Sequence, residues 1–354
     1  MYLRRINLTR NTIKIITVVA VDAVLFAILL LTFAWFHHAK PQNVTDLGTF
    51  EFPKLSQPPA VSSPPVNTDT PNETPSNNTD TTESPVPIES EAPTPEPTGL
   101  LKGKFADKFT SGEVIKTADT YRSKNVCIEI SEHDMKVQYN PVHYFVADIY
   151  IQDITSFRCA VAQTSNNKER VEVMARNNDA IVATSGDYFL FHKNGLAIRN
   201  GVLLRETLHP DQDVCVLYQD GTMETYLKGQ VDLQSIYAKL PYHAWSFGPK
   251  LLDNGQPMTK FNTSVETWNP RCAIGYYEPG HYCLVLVDGR QTGYSLGLKM
   301  QDLSKLMFDL GCTEAYNLDG GMTAMMAYDG ELISKPCGGG RQNSDILYIA
   351  EPLS

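Results

Sequence analysis

From Ile15 to Phe36 the chain is almost continuously apolar, broken by Thr17, Asp22 and Thr32 alone. A helix of that length crosses a hydrocarbon core of about 30 Å. Arg4, Arg5, Arg10 and Lys14 precede it, so the positive-inside rule keeps the N-terminus cytoplasmic and sends the rest outward. The run is longer than the apolar region of a cleaved leader, and no A-x-A-like site precedes Pro41. The expectation is a single-pass cell-membrane protein: residues 1–14 a cytoplasmic basic tail, 15–36 a transmembrane signal anchor, and an extracellular C-terminal part. Asp22 is read as a tolerated charge within a strong span.

Charge and proline divide what remains. The formal net charge is −10, yet residues 1–40 carry +4 and residues 41–98 carry −8. The same 41–98 stretch holds 13 of the 22 prolines. With little to bury it cannot offset its ordering entropy, so residues 37–100 are expected to be a disordered linker. Such a spacer reaches roughly 40 Å as a coil and about 180 Å as polyproline II. The acidic balance argues against phosphate-backbone binding, so no nucleic-acid partner is expected.

Residues 101–354 can bury a large core. Short apolar runs punctuated by Gly, Asn and Asp predict strands, among them 143–152, 213–218, 271–277, 282–287, 314–318 and 345–349. Helices are fewer: 168–177, 231–239 and, most clearly, 300–310. There Met300, Leu303, Leu306, Met307 and Leu310 share a face and Gly311 stands at the C′ position. The pattern predicts an α+β fold: one globular domain with a mixed, largely antiparallel sheet and a few helices. All seven Cys lie in the external part without C-x-x-C spacing, several in apolar runs, so mostly free, buried thiols are expected.

The chemistry concentrates near the C-terminus. The 282–287 run ends at Asp288-Gly289-Arg290, and the 314–318 run ends at Asp319-Gly320-Gly321, with the 300–310 helix between them. A strand–helix–strand unit of this kind often leaves parallel strands with their C-terminal ends side by side, where ligands bind. Paired glycines let backbone approach a ligand, and Arg290 suits an anionic oxygen. One Asp-Gly pair alone is ordinarily a turn. Two flanking a helix, with Asn317 alongside, point to a site.

Asn317-Leu-Asp-Gly-Gly-Met-Thr323, with Val287-Asp-Gly-Arg290 upstream, resembles the phosphodiester glycosidase family, many of whose bacterial members are associated with exopolysaccharide. Ser185-Gly-Asp-Tyr-Phe189, Gly195-Leu-Ala-Ile-Arg-Asn-Gly201, Ser246-Phe-Gly-Pro249, Arg271-Cys-Ala-Ile-Gly275 and the closing run from Gly339-Gly-Arg341 to Asp345-Ile-Leu-Tyr348 follow the family's pattern in order. The resemblance covers roughly residues 120–350. Met322, Cys272 and Ser185 depart from it, which bears on substrate identity more than on reaction type.

The resemblance implies hydrolysis of a sugar-1-phosphodiester at its glycosidic bond, in a surface glycan or exopolysaccharide. Such chemistry asks for a carboxylate as base or nucleophile and for cations on the phosphate. Asp319 and Asp288 are the candidate acid/base or nucleophile pair, and Asp187 is a third carboxylate to orient substrate or water. Arg271, Arg290, Asn317, Gly320, Gly321 and Arg341 are candidate substrate-binding residues. Arg199 is read as a hairpin arginine, Tyr188 and Phe189 as a sugar-stacking wall or core aromatics, and His192 and His209 as further acid/base candidates. No cofactor is expected. Three Asp in one cluster could instead hold Ca²⁺ or Mg²⁺ in a metal-dependent phosphodiesterase, and a non-catalytic module for anionic wall polymers is the third reading.

Overall fold

The computed structural model describes residues 99–353 together with Phe26 and residues 50–52. The expected membrane span 15–36 lies outside the described residues except for Phe26. Among the described residues no helix is long and apolar enough to cross a membrane.

The strands form three main sheets in place of one, and every ladder between the named strands is antiparallel. The largest runs Glu314–Leu318, Arg271–Glu278, His281–Val287, Asn140–Ile151, Val126–Val137, Thr120–Arg122 and Ile115–Lys116 in spatial order. A five-stranded sheet is centred on Val182–Ser185 and Asp345–Ile349. A six-stranded sheet includes Ala197–Arg199, Pro241–Ser246 and Val214–Tyr218. One buried cluster draws on all three, with Ile128, Leu284 and Leu286 meeting Val182, Leu347, Cys215 and Trp245. A shared core of that kind makes the sheets one folding unit.

Each sheet buries its other face as well, which is why the strands read as continuous apolar runs and not as alternating ones. Cys283, Val285 and Val287 pack beneath the Met300–Asp309 helix through Leu303, Leu306 and Met307. The helix ends at Gly311, whose φ of 88° is a left-handed turn that suits glycine. The Val171–Asn177 helix covers the five-stranded sheet, and Leu233–Ala238 covers the six-stranded one. All seven cysteines are buried free thiols.

Two features depart from expectation. Within the stretch taken for a disordered linker, Phe50–Glu51 pairs antiparallel with Val202–Arg205 at the edge of the six-stranded sheet. Phe52 is buried beyond it, its ring 5.1 Å from that of Tyr237. The backbone pairing supplies the order that composition alone does not. The second departure concerns the strands ending at Val287 and Leu318. They do point the same way, but Arg271–Glu278 runs between them, antiparallel to both. Their C-terminal ends are therefore about 10 Å apart, two strand spacings, with Arg271 at the same edge between them.

Candidate active site

That edge is built by the sequence in a simple way. Each flanking strand ends where an apolar run meets Asp-Gly, and the intervening strand begins at Asn269-Pro270-Arg271. The Asp319 N–H donates to Gly186 O at 3.0 Å, which brings the Ser185–Tyr188 turn of the neighbouring sheet against the same edge. Gly320 is required by contact: a Cβ there would stand 2.7 Å from Pro270 O. The following N–H, of Gly321, donates to that carbonyl at 3.0 Å.

A hollow of about 210 Å³ opens there, lined by Asp319, Asn317, Arg271, Arg290, Asn269 and Phe247 among others. Burial pushes the Asp319 carboxyl up to about 6, against the pull of the Thr323 hydroxyl, the Arg341 charge and the Gly320 N–H; the nearby Asp187 charge adds to the rise. Arg290 lies across Gly321 and donates to Asn269 Oδ1 from Nε at 3.0 Å and Nη2 at 2.7 Å. Arg271 is buried and donates to the carbonyls of Leu298, Val265 and Thr267. Burial first, then the Arg290 charge, lowers it to about 10, so it stays cationic at neutral pH. Asn317 Nδ2 donates to Gly248 O at 2.8 Å, while its Oδ1 is buried with no protein partner. That leaves an unsatisfied buried acceptor beside the hollow.

Arg341 does not line the hollow, but its charge reaches Asp319, and its guanidinium lies 5.8 Å from the Tyr188 ring centre. Tyr188 adopts φ 60° and stacks on Phe191 at 4.4 Å, half-buried, whereas Phe189 is wholly buried. His192 lies 6.4 Å from Phe247, which lines the hollow, and 6.2 Å from His209 between ring centres. Burial lowers its pKa, and its Nε2 is buried without a partner.

The three aspartates do not converge. Asp187 is sealed: its Oδ1 accepts from Arg199 at 2.6 Å and its Oδ2 from the Ser246 N–H at 3.0 Å. Asp345 lies beneath the turn, accepting from the Asp187 and Tyr188 N–H groups, and is 3.7 Å from the same guanidinium. Burial and the Asp187 charge push the Asp345 carboxyl up. Asp288, expected to pair with Asp319, turns toward another loop. Its Oδ2 accepts from the Tyr294 hydroxyl at 2.8 Å and the Lys335 N–H at 2.9 Å, and it is absent from the lining of the hollow. A strand separates the two carboxylates, and local hydrogen bonds hold each to its own side. Among the described residues no group of three or more His, Cys, Asp or Glu could hold a metal ion.

Asn269, Phe247 and Asp345 were not singled out as site residues. Phe247 and Asp345 fall within motif segments and Asn269 precedes one, yet none carries a chemical signature that separates it from a turn or core residue.

The phosphodiester glycosidase family profile matches residues 173–350, half of the chain. The SPbeta prophage-derived protein YomE of Bacillus subtilis strain 168 is 30% identical over 200 residues, 53% of this chain; the match takes in only 30% of that protein. The catalytic domain of zebrafish N-acetylglucosamine-1-phosphodiester alpha-N-acetylglucosaminidase, auto-inhibited by its pro-peptide, shares the fold. Its TM-score is 0.53 at 22% identity, over 68% of this chain and 88% of that one. A hypothetical protein from Synechocystis aligns at TM-score 0.44 and 13% identity, over 68% of this chain and 64% of the other. The family match spans the turn at Ser185, the hollow and the closing strand, and by it the chain belongs to the phosphodiester glycosidase family.

Proposed function

We propose that this protein hydrolyses the glycosidic bond of a sugar-1-phosphodiester. The observation that carries the proposal is Asp319: a carboxyl held near 6 by burial, with Arg341 on one side and Arg271 and Arg290 lining the same hollow. The guanidinium groups take the phosphate oxygens and stabilise the departing phosphate, which needs no strong acid. Asp319 is then free to serve at the anomeric carbon as base or nucleophile. Asn317 Oδ1 and Tyr188 offer an acceptor and an apolar face to the sugar. Membrane anchorage through residues 15–36, an extracellular catalytic domain and a surface glycan or exopolysaccharide as substrate belong to the same proposal; they rest on the apolar run and the basic residues before it.

Turnover in ¹⁸O-labelled water tests it. The label enters the sugar if the C1–O bond is cut, and the phosphate if a P–O bond is cut. Label in the phosphate, with activity lost to a chelator, would establish the metal-dependent alternative.

A further inference from the structure

Asp288 is nearly sealed from solvent, yet the hollow does not use it. What it holds is the backbone of residue 335. The Lys335 N–H donates to Asp288 Oδ2, and the Lys335 carbonyl accepts from Gln291 Nε2 at 2.7 Å. Asp288 and Gln291 flank Arg290, so a single short loop grips both sides of one peptide position. Beyond that position the chain reads Pro336-Cys-Gly-Gly-Gly-Arg341, and Gly338, Gly339 and Gly340 all have positive φ, between 63° and 84°. Three consecutive glycines have more freedom to lose than any other tripeptide, so this segment needs external pins. It has them at Lys335, at Gly339 O (accepting from Arg170) and at Arg341 N–H (donating to Met322 O). Arg341 follows directly, and among the described residues its guanidinium has no protein acceptor.

We infer that Asp288 is a positioning residue: through the Lys335 N–H it fixes the glycine segment so that Arg341 is presented to a phosphate group beside Asp319. The inference rests on the hydrolase proposal for its substrate, but its physical content is phosphate binding. An ionised acceptor makes the stronger hydrogen bond to an N–H, and the Tyr294 hydroxyl on the same oxygen holds the carboxylate in that orientation.

The test is the affinity of the full-length chain for inorganic phosphate, measured by calorimetry in wild type, Asp288→Ala, Asp288→Asn, Arg341→Ala and the Asp288→Ala/Arg341→Ala double variant. Asp288→Ala is expected to weaken binding roughly tenfold, as Arg341→Ala does, the scale of one charge-assisted contact. The double variant should be no weaker than Arg341→Ala alone, because one residue acts through the other. Asp288→Asn keeps a carbonyl acceptor for the Lys335 N–H and should stay within about threefold of wild type. Where Asp288→Ala does not fold, Gln291→Ala takes its place, weakening binding in wild type but not in the Arg341→Ala background. Additive losses, an unaffected Asp288→Ala, an Asp288→Asn as weak as Asp288→Ala, or no phosphate binding by wild type would each overturn the inference. None of these readouts requires turnover, so failure of the hydrolase proposal would show separately, as label in the wrong product.

Discussion

The Arg199 guanidinium donates to Asp187 Oδ1 at 2.6 Å, and neither side chain is open to solvent. Asp345 lies 3.7 Å from the same guanidinium. One cation thus serves two buried carboxyl groups under the turn that carries Tyr188, balancing one full negative charge while burial and the Asp187 charge push the Asp345 carboxyl up. Replacing Arg199 with Met leaves both without a counter-charge and should cost about 3–5 kcal/mol, as a buried pair does when one partner is removed. Urea denaturation reads this directly; a loss under about 1 kcal/mol would contradict the role assigned to the pair.

Asp319→Asn should leave the fold intact and lower turnover by about 10²- to 10⁴-fold, the range for removing an acid/base group. Circular dichroism and a sugar-1-phosphodiester assay check the two halves. Activity within tenfold of wild type would remove Asp319 from the chemistry.

The same residue sets a pH signature on stability. Its folded pKa is about 6, whereas an unfolded aspartate titrates near 3.9. The folded state therefore binds the proton more tightly. The stabilisation is fully present below about pH 4 and is lost as pH rises through 6. Asp319→Asn buries no charge, so it should melt above wild type at pH 7.5 and alongside it near pH 4. An equal difference at both pH values would count against the elevated pKa.

Gly320→Ala tests the close approach of two strands at the site. Its Cβ would meet Pro270 O at 2.7 Å, and backbone, not a flexible side chain, must give way. A destabilisation of about 1–3 kcal/mol is expected, the usual cost of overpacking. Thermal melting measures it, and an unchanged midpoint would mean that the edge yields freely.

Thiol titration probes the core. With all seven cysteines buried and unpaired, Ellman's reagent should find few in the native protein and seven after denaturation. Fewer than seven in the denatured, unreduced chain would reveal a disulfide.

Much of this was legible in the chain itself. The Met300–Asp309 helix announced its buried face through Met300, Leu303, Leu306 and Met307, and the structure buries those four. The His281–Val287 strand was equally plain, being apolar on both faces. The Val126–Val137 strand was not. Its first residues are buried, but Glu132 and Asp134 lie on the part of the hairpin that runs past the core, and a charged stretch gives no strand pattern. At the site, residue types were readable and directions were not. Asp288 follows its strand just as Asp319 does, but its partner Lys335 lies 47 residues further on, and nothing local reveals that contact. Arg290, Arg271 and Asn317, which line one hollow, stand out in the sequence because strand ends can be read; their neighbour Asn269 does not, because it looks like a turn.

The pairing of Phe50–Glu51 with Val202–Arg205 limits how far the domain can roam from the chain that precedes it. If residues 15–36 cross the bilayer, the domain hangs by residues 37–49 alone, at most about 45 Å of fully extended chain. Residues 53–98 then add nothing to the leash, since they leave the domain at Phe52 and rejoin it at Gly99. A domain on so short a lead would stay within about 45 Å of the point where residue 36 leaves the bilayer, however long the acidic stretch that follows Phe52.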